Sequence, residues 1–391
     1  MRLLHIICST AAESGGPIEA LTRISEVLIR DGNTIHVASL ESPEEVATRN
    51  FHFPLTGVGR GIGRYRFGGT LTPWLKKNAQ NYDAVILHGI WNYSSAGAWR
   101  ALRKLRVPYF IFVHGMMDPW FREHYPLKHI AKQIYWTLIE GRVLRDARRV
   151  LFTCGEEMVR ARNVFRGHPY RERVVLYGTA DPSEDAAATV AEFSAAFPEL
   201  KNRKFLLFLS RIHPKKGCDL LIQAFADTIS TIPEDLDLVM AGPDQVGWIP
   251  RLKATAIRLG VAERIHWTGM LTGNLKWGAF RSAEAMILPS HQENFGFVVA
   301  EAMACSTPVL ISDKVNIWRE VEAANAGFVE PDTEDGTRNL IRRFIALTSE
   351  EHSRLRTSAR DGFLKYFDIE VSARDFARTV DSMRVEAVDS L

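Results

Sequence analysis

The chain has 391 residues, of which 46% are hydrophobic and 24% charged, and a formal net charge of +3. That length suffices for two domains with separate cores, and no run approaches the roughly 20 apolar residues that span a bilayer. The four cysteines, Cys8, Cys154, Cys218 and Cys305, are scattered with no CxxC pair, which speaks against a disulfide framework and fits buried thiols in a reducing compartment.

The net charge hides an asymmetry. Residues 1–180 hold 25 Lys and Arg against 15 Asp and Glu, whereas residues 181–391 hold 24 against 31. A basic first half invites nucleic acid, an anionic membrane surface or a phosphorylated substrate. No zinc-finger or RNA-binding signature supports the first, so no nucleic-acid partner is expected.

In chain order, residues 3–8 of the start MRLLHIICST read as an apolar strand, so no signal peptide is expected there. A loop with Gly15-Gly16-Pro17 follows, then an amphipathic helix over 18–30 and the strand IHVASL. The loop is not GxGxxG, so a dinucleotide fingerprint is absent. Paired glycines before a helix suit either a phosphate or a flexible turn. Residues 51–80 (TGVGRGIGRYRFGGT at the centre) predict a mobile loop or broken helix on the acceptor side. Two strands then end alike, DAVILHG and YFIFVHG, which places His88 and His114 toward the ligand crevice of a parallel sheet.

Residues 126–149 predict one long helix. Lys128, Lys132, Arg142, Arg145 and Arg149 share an arc of it, and Trp136 lies among its apolar anchors. That suits an anionic membrane or, equally, a solvated face. The small and acidic residues of 181–203 predict a linker. FLLFLSRIHPKKG then restarts the pattern with a strand and a loop carrying Arg211 and Lys216, and DLVMAGP and RIHWTG are further strands. Strands alternating with helices make a second doubly wound domain.

The richest stretch is AMILPSHQENFGFVVAEAMACSTPVLIS, which reads strand, loop, helix, strand. Glu293 stands in the loop and Glu301 in the helix. Between them Asn294, Phe295 and Gly296 bring bare backbone N–H groups to a helix start, where anions and hydroxyl oxygens bind. A loop acid, open N–H groups and a helix acid suit a polyhydroxyl ligand carrying phosphate. The bland alternative is a helix with solvated acids.

LSRIHPKKG, the glutamate pair, the Gly-Gly-Pro loop and VHGMMDPW together resemble the retaining glycosyltransferases of family 4, across essentially the whole chain. The resemblance implies an α/β protein of the GT-B fold, with two Rossmann-like doubly wound domains facing a central cleft. Residues 1–180 would form the acceptor-side domain, 181–203 the linker and 204–369 the nucleotide-sugar domain, with a helix over about 370–391 packing back on the first. It further implies that Arg211 and Lys216 clamp the donor diphosphate and neutralise the leaving group. Gly15 and Gly16 would offer N–H groups to that diphosphate, and Glu301 would accept the ribose hydroxyls. Glu293 would contact the sugar near its anomeric centre, helped by the N–H groups of Asn294, Phe295 and Gly296. His114 would hold the sugar's outer hydroxyl, and Leu271 would lie in the base-flanking loop. His88, Trp91 and Asp118 are acceptor-side candidates. Because Gly115 stands where many members carry an acid, Asp118 is also the expected partner of His114. SDKVNIWREV departs from the family's usual turn and leaves Asn316 and Trp318 without a role.

The activity implied is transfer of a hexose, glucose from UDP-glucose in the first place, to a lipid-linked or polysaccharide acceptor in bacterial surface or exopolysaccharide assembly. The setting expected is the cytoplasm, peripheral at the inner face of the membrane. No residue is placed as a nucleophile for double displacement, so front-face attack is expected, with positioning and electrostatics as the main contributions. Asp235-Leu236-Asp237 is literally a DxD but precedes its strand, at the wrong end, so no metal and no cofactor are expected. The alternatives are a GDP-mannose-dependent transferase, a UDP-sugar 2-epimerase of the same architecture, and a non-enzymatic sugar- or nucleotide-binding scaffold.

Overall fold

The computed structural model describes residues 1–11, 16–182 and 185–385. Contacts divide the chain into two units, one of residues 1–178 with those from 369 onward, the other of residues 179–368.

The first unit is built on seven strands: β1 (Arg2–Ile7), β2 (Thr34–Ser39), β3 (Leu55–Gly57), β4 (Ala84–His88), β5 (Tyr109–Phe112), β6 (Arg149–Phe152) and β7 (Glu172–Val174). They lie in the order β3-β2-β1-β4-β5-β6-β7, with every pairing parallel. The central strands are apolar and buried almost end to end. A parallel sheet covered by helices on both faces demands that pattern. Strand order reverses between β1 and β4, whose register runs from Leu3 opposite Ala84 to Ile7 opposite His88. The crevice at the carboxyl ends of the two strands flanking such a reversal is where open α/β sheets bind ligands. The helix Ile369–Val385 lies on the helix Gly16–Arg30, tied by Arg30 to Glu370 and by Arg374 to Asp31 at 3.4 Å.

Residues 51–80 are more regular than expected. They hold β3, a turn closed by pairing of Ile62 with Phe67, and the helix Leu71–Asn78. The helix expected over 126–149 is interrupted instead. Pro126–Tyr135 is α-helical, Trp136–Glu140 is a π turn, Gly141–Asp146 resumes the α-helix, and Arg149 already opens β6. A π turn inserts extra residues and rotates everything after it, so the basic arc reckoned at a uniform 100° per residue does not exist. Trp136 is fully buried, its ring stacked on Phe165 at 5.0 Å. The exposed apolar side chains of this segment are Leu127, Ile130, Ile134 and Leu138, each more than half exposed.

The second unit carries β8 (Lys204–Leu209), β9 (Leu236–Ala241), β10 (Ile265–Gly269), β11 (Ala285–Leu288), β12 (Val309–Ser312) and β13 (Gly327–Glu330). All pairings are parallel, in the order β10-β9-β8-β11-β12-β13, with the reversal between β8 and β11. The segment expected as a linker is part of this unit. Its helix Ala186–Ala196 buries Phe193 against Phe205 of β8 and is bonded through Thr189 to Arg281 at 2.6 Å. Small and acidic residues read as a linker here because the buried stripe of the helix is only Thr189 and Phe193.

Candidate active site

In the second unit, the loops after β8 and β11 meet at the strand-order reversal. The chain leaves β8 through Arg211 and enters a single 3₁₀ turn, Pro214–Lys216, capped by His213 Nδ1 accepting from the N–H of Lys215 at 3.1 Å. Gly217 ends that turn with φ +66, and a Cβ there would stand 2.1 Å from the carbonyl oxygen of Pro289. Only glycine fits. That contact presses the Lys216 loop onto the end of β11. The loop after β11 answers with hydrogen bonds: Ser290 Oγ and the N–H of His291 both donate to the carbonyl of Lys215, at 3.0 and 2.8 Å. The loop after β12 joins the same knot. The N–H of Glu293 donates to Lys314 O at 3.0 Å, and the N–H of Asn316 to Glu293 O at 3.1 Å. Asn316 therefore has a position, holding the main chain of Glu293.

These loops bring Lys216 and Glu293 together. Lys216 is 4% exposed, and its Nζ lies 2.5 Å from Glu293 Oε2 and 3.4 Å from the carbonyl of Gln292. Arg211 stays exposed, with Gln245 Oε1 at 3.1 Å. After Glu293 the backbone turns at Gly296 (φ +81), which caps the helix Phe297–Ala304. A Cβ on Gly296 would crowd Val315 at 3.1 Å and Glu293 at 3.3 Å. Phe295 turns its ring into the core, 4.9 Å from Phe297 and 5.8 Å from Phe367, so this residue offers the site only main chain. Glu301, one turn into the helix, is 3% exposed and accepts from Lys276 Nζ at 2.7 Å. The side chain of Leu271 is buried, whereas that of its neighbour Met270 is exposed.

Asp237, the second acid of the DxD, sits at the amino end of β9. It accepts from Arg203 at 2.8 Å, Arg264 at 3.3 Å and His266 at 2.9 Å. Burial alone would raise its carboxyl pKa, but these three partners outweigh burial and hold it below the usual range. It is a fastener between strands.

The first unit places three histidines in a chain at its own reversal. His5 of β1 faces His88 at the end of β4, with Nδ1 to Nε2 at 2.9 Å. His88 Nδ1 in turn faces His114 Nε2 at 3.1 Å, and the rings are stacked with centroids 5.2 and 5.3 Å apart. Burial drives the pKa of His5 and of His114 down to about 3 and that of His88 well below its ordinary value. All three are neutral, with one N–H each. Among the described residues His5 Nε2 has no hydrogen-bond partner. A buried N–H without a partner is the rarer and costlier orphan, so that nitrogen carries the lone pair. The proton order follows: His5 Nδ1–H donates to His88, His88 Nδ1–H donates to His114, and His114 keeps its own N–H on Nδ1. His114 holds φ +49, an uncommon backbone state for a non-glycine residue that is concentrated at functional positions.

The expected partner of His114 is corrected accordingly. Asp118 is buried, accepts from the N–H of Trp120 at 2.8 Å and pairs with Arg160 at 3.2 Å, while His114 is held by His88. His88 is 4% exposed, enclosed by the other two histidines, so it acts through His114. Trp91 donates its indole N–H to Met116 O at 3.1 Å. Gly16 opens its helix, and Gly15 lies outside the described residues. His5 and Lys276 were not anticipated. Each comes from a segment with no motif of its own, and only strand order or helix packing brings it to the site.

Residues 15–178 match the family model described as Glycosyl transferase 4-like domain, and residues 190–362 match Glycosyl transferases group 1. A D-inositol 3-phosphate glycosyltransferase of Segniliparus rotundus is 32% identical over 76% of this chain and 69% of its own length. An enzyme of the same name from Streptomyces bingchenggensis is 28% identical over 67% of this chain and 58% of its own length. Among solved structures, HepE of Anabaena in complex with UDP and glucose superposes with a TM-score of 0.75 over 98% of this chain and 100% of that one. At 19% identity this last likeness speaks for the fold alone.

Proposed function

Because the chain belongs to the glycosyltransferases of group 1 and 4-like type, with two Rossmann-like domains of GT-B kind, we propose that it is a retaining hexosyltransferase using a nucleoside diphosphate sugar. The observation that carries the reading is the Lys216–Glu293 pair beside the helix start at Gly296, with the Lys276–Glu301 pair one turn on. Arg211 and Lys216 supply positive charge for a diphosphate, and Glu301 accepts ribose hydroxyls. Glu293 and the N–H groups of residues 294–296 hold sugar hydroxyls. His114, carrying its N–H on Nδ1, donates to the outer hydroxyl of the sugar. In the step itself the bond from C1 to the phosphate oxygen breaks and its electron pair stays on that oxygen. The acceptor oxygen bonds to C1 on the same face and passes its proton to the departing phosphate. The protein contributes charge and orientation, without a metal.

UDP-glucose is the donor we favour. The acceptor proposed is a lipid-linked or polysaccharide glycan in bacterial surface assembly. Peripheral contact with the inner membrane face would use Leu127, Ile130, Ile134 and Leu138 in place of Trp136. Among the described residues no helix is long and apolar enough to cross a membrane. Flotation with vesicles containing anionic phosphatidylglycerol tests the contact. Ile130→Glu with Ile134→Glu should abolish co-flotation, and an unchanged variant would remove this surface from the proposal.

The donor is tested by incubating the protein with UDP-glucose, UDP-galactose, UDP-GlcNAc or GDP-mannose in EDTA and following release of nucleoside diphosphate. Release from UDP-glucose, lost in Glu293→Ala, is expected. Release from GDP-mannose alone would replace the donor. Interconversion of a UDP-sugar without release would replace transfer by epimerisation.

A further inference from the structure

Beside the loop that follows β5, the first domain holds a cavity of about 300 Å³ at the foot of the helix Pro126–Tyr135. Its wall is unusual in its charge. Arg122, Lys128 and Lys132 all line it, together with His129. The acid on the same wall, Asp118, is already engaged by Arg160 and by the N–H of Trp120. Among the described residues none of the three cations has a carboxylate within ion-pair distance. The two lysines rest on aromatic faces instead: Lys128 lies 4.6 Å from the Tyr125 ring, and Lys132 lies 4.8 Å from Trp91 and 5.5 Å from Phe121.

A cation–π contact offsets only part of the cost of desolvating an ammonium group. Lys132 shows the deficit, because burial first and Lys128 second pull its pKa below the ordinary lysine value. His129 is lowered by burial, then by Arg122 and Lys132, two of the cations that line the cavity with it. Three or more like charges around one small cavity repel one another unless an anion enters. The other walls are Phe121, Tyr125 and Phe165, which suit an apolar or ring-shaped body.

We infer that this cavity binds the phosphate or diphosphate group of an organic phosphate ester, with Arg122, Lys128 and Lys132 on the phosphate oxygens and the three rings against the attached body. At about 300 Å³ the space takes such a head group and a few carbons, and no extended glycan. The inference rests on the transferase reading only in assigning this ester to the acceptor. A phosphate attached to a lipid and one attached to a free sugar present the same oxygens, so the ligand class is common to both.

The test is calorimetry on the full chain, first with UDP alone and then with UDP saturating, so that the diphosphate ligands near Arg211 and Lys216 are occupied. The probes are geranyl diphosphate, glucose 6-phosphate and inorganic phosphate. At least one ester should bind about tenfold more tightly than inorganic phosphate, because the rings hold its body. Preference for geranyl diphosphate identifies a lipid-borne phosphate, and preference for glucose 6-phosphate a soluble one. Arg122→Gln and Lys132→Gln should each weaken that binding about tenfold or more, the loss of one charge-assisted contact. Lys128→Gln, at an exposed position, guards against misfolding, and circular dichroism checks all three variants. Equal affinity in the variants, or no binding of either ester, overturns the inference. If UDP binds and the esters do not, the cavity fails and the transferase reading stands. If the esters bind and UDP does not, the transferase reading fails and the cavity remains a phosphate site.

Discussion

The two domains carry the same device at the same place and fill it with opposite chemistry. Each sheet reverses its strand order once, and in each the notable side chains gather there: His5 within β1, His88 at the end of β4 and His114 just after the next strand, β5, in the first, and the loops after β8 and β11 in the second. In the first domain that position holds His5, His88 and His114, all neutral and joined nitrogen to nitrogen. In the second it holds Lys216 and Glu293, both charged and already paired, with Lys276 and Glu301 close behind. Architecture decides where a ligand can bind, and side-chain charge decides which part of it. An uncharged N–H suits a sugar hydroxyl, and fixed ions suit a diphosphate and the hydroxyls of a ribose.

The sharpest way to break the comparison is to unpair the charged side. Lys216 is 5% exposed in its side chain and Glu293 is 23% exposed, so the two deletions are unequal. Glu293→Ala strands an ammonium group away from water and should cost about 2–4 kcal/mol in urea unfolding. Lys216→Ala leaves a carboxylate that water can reach and should cost only about 1 kcal/mol. In turnover Lys216→Ala should reduce nucleotide release on the order of a hundredfold to a thousandfold as the leaving group loses its cation, despite its small cost in stability. Equal stability losses for the two variants would mean that the buried lysine is solvated in solution.

The neutral side should break with acid. Three histidines whose folded pKa values are depressed, those of His5 and His114 to about 3, contribute stability that is present above the unfolded value near 6.5 and is lost as pH falls below it. Each contributes a slope of roughly 1.4 kcal/mol per pH unit within that window. Hydrogen exchange at β1, β4 and β5 between pH 7 and 5 measures it. His5→Phe should remove about one proton from the slope. It should also disturb the proton order, which ¹⁵N shifts of the histidine rings report directly. A wild-type His114 protonated on Nε2 would refute the direction assigned to the chain.

Much of this comparison is legible in the amino-acid string, and the rest is hidden for identifiable reasons. The apolar strands and the strand–loop–helix–strand run that carries Glu293 and Glu301 follow from local pattern, and Arg211, Lys216, Glu293 and Glu301 are singled out by short motifs that the family resemblance interprets. The reversal between β8 and β11 is not local and appears only in the sheet. His88 and His114 are visible as twin strand ends. His5 is not, since it lies in a plain β run and meets His88 only through the register of β1 on β4. Lys276 reads as an ordinary helical lysine until its helix is packed near Glu301. Trp136 is misread by any uniform helical period, because a π turn begins at that residue. The helix Ala186–Ala196 hides because Phe193 and Thr189 are its only buried positions.

The smallest effect sets the two kinds of histidine against each other. His291, on the same loop as Glu293, bonds Asp332 at 2.8 Å, and that hydrogen bond raises its pKa above the ordinary value. Its sign is opposite to that of the buried chain. Stabilisation by this pair is complete below the unfolded value near 6.5 and is lost as pH rises through the raised folded value. With the His291 side chain 34% exposed, solvent screening keeps the contribution under about 1 kcal/mol. Between pH 6.5 and 8 the buried histidines bind no protons in the folded state, and their unfolded-state term fades over the same range. The wild type should therefore lose a little stability at β11 and β12 on alkalinisation, whereas His291→Asn should stay level. If variant and wild type ran parallel by hydrogen exchange across that range, the Asp332 bond would contribute nothing. The loop of Glu293 would then be held by its other bonds, to Lys215, Lys216, Lys314 and Asn316.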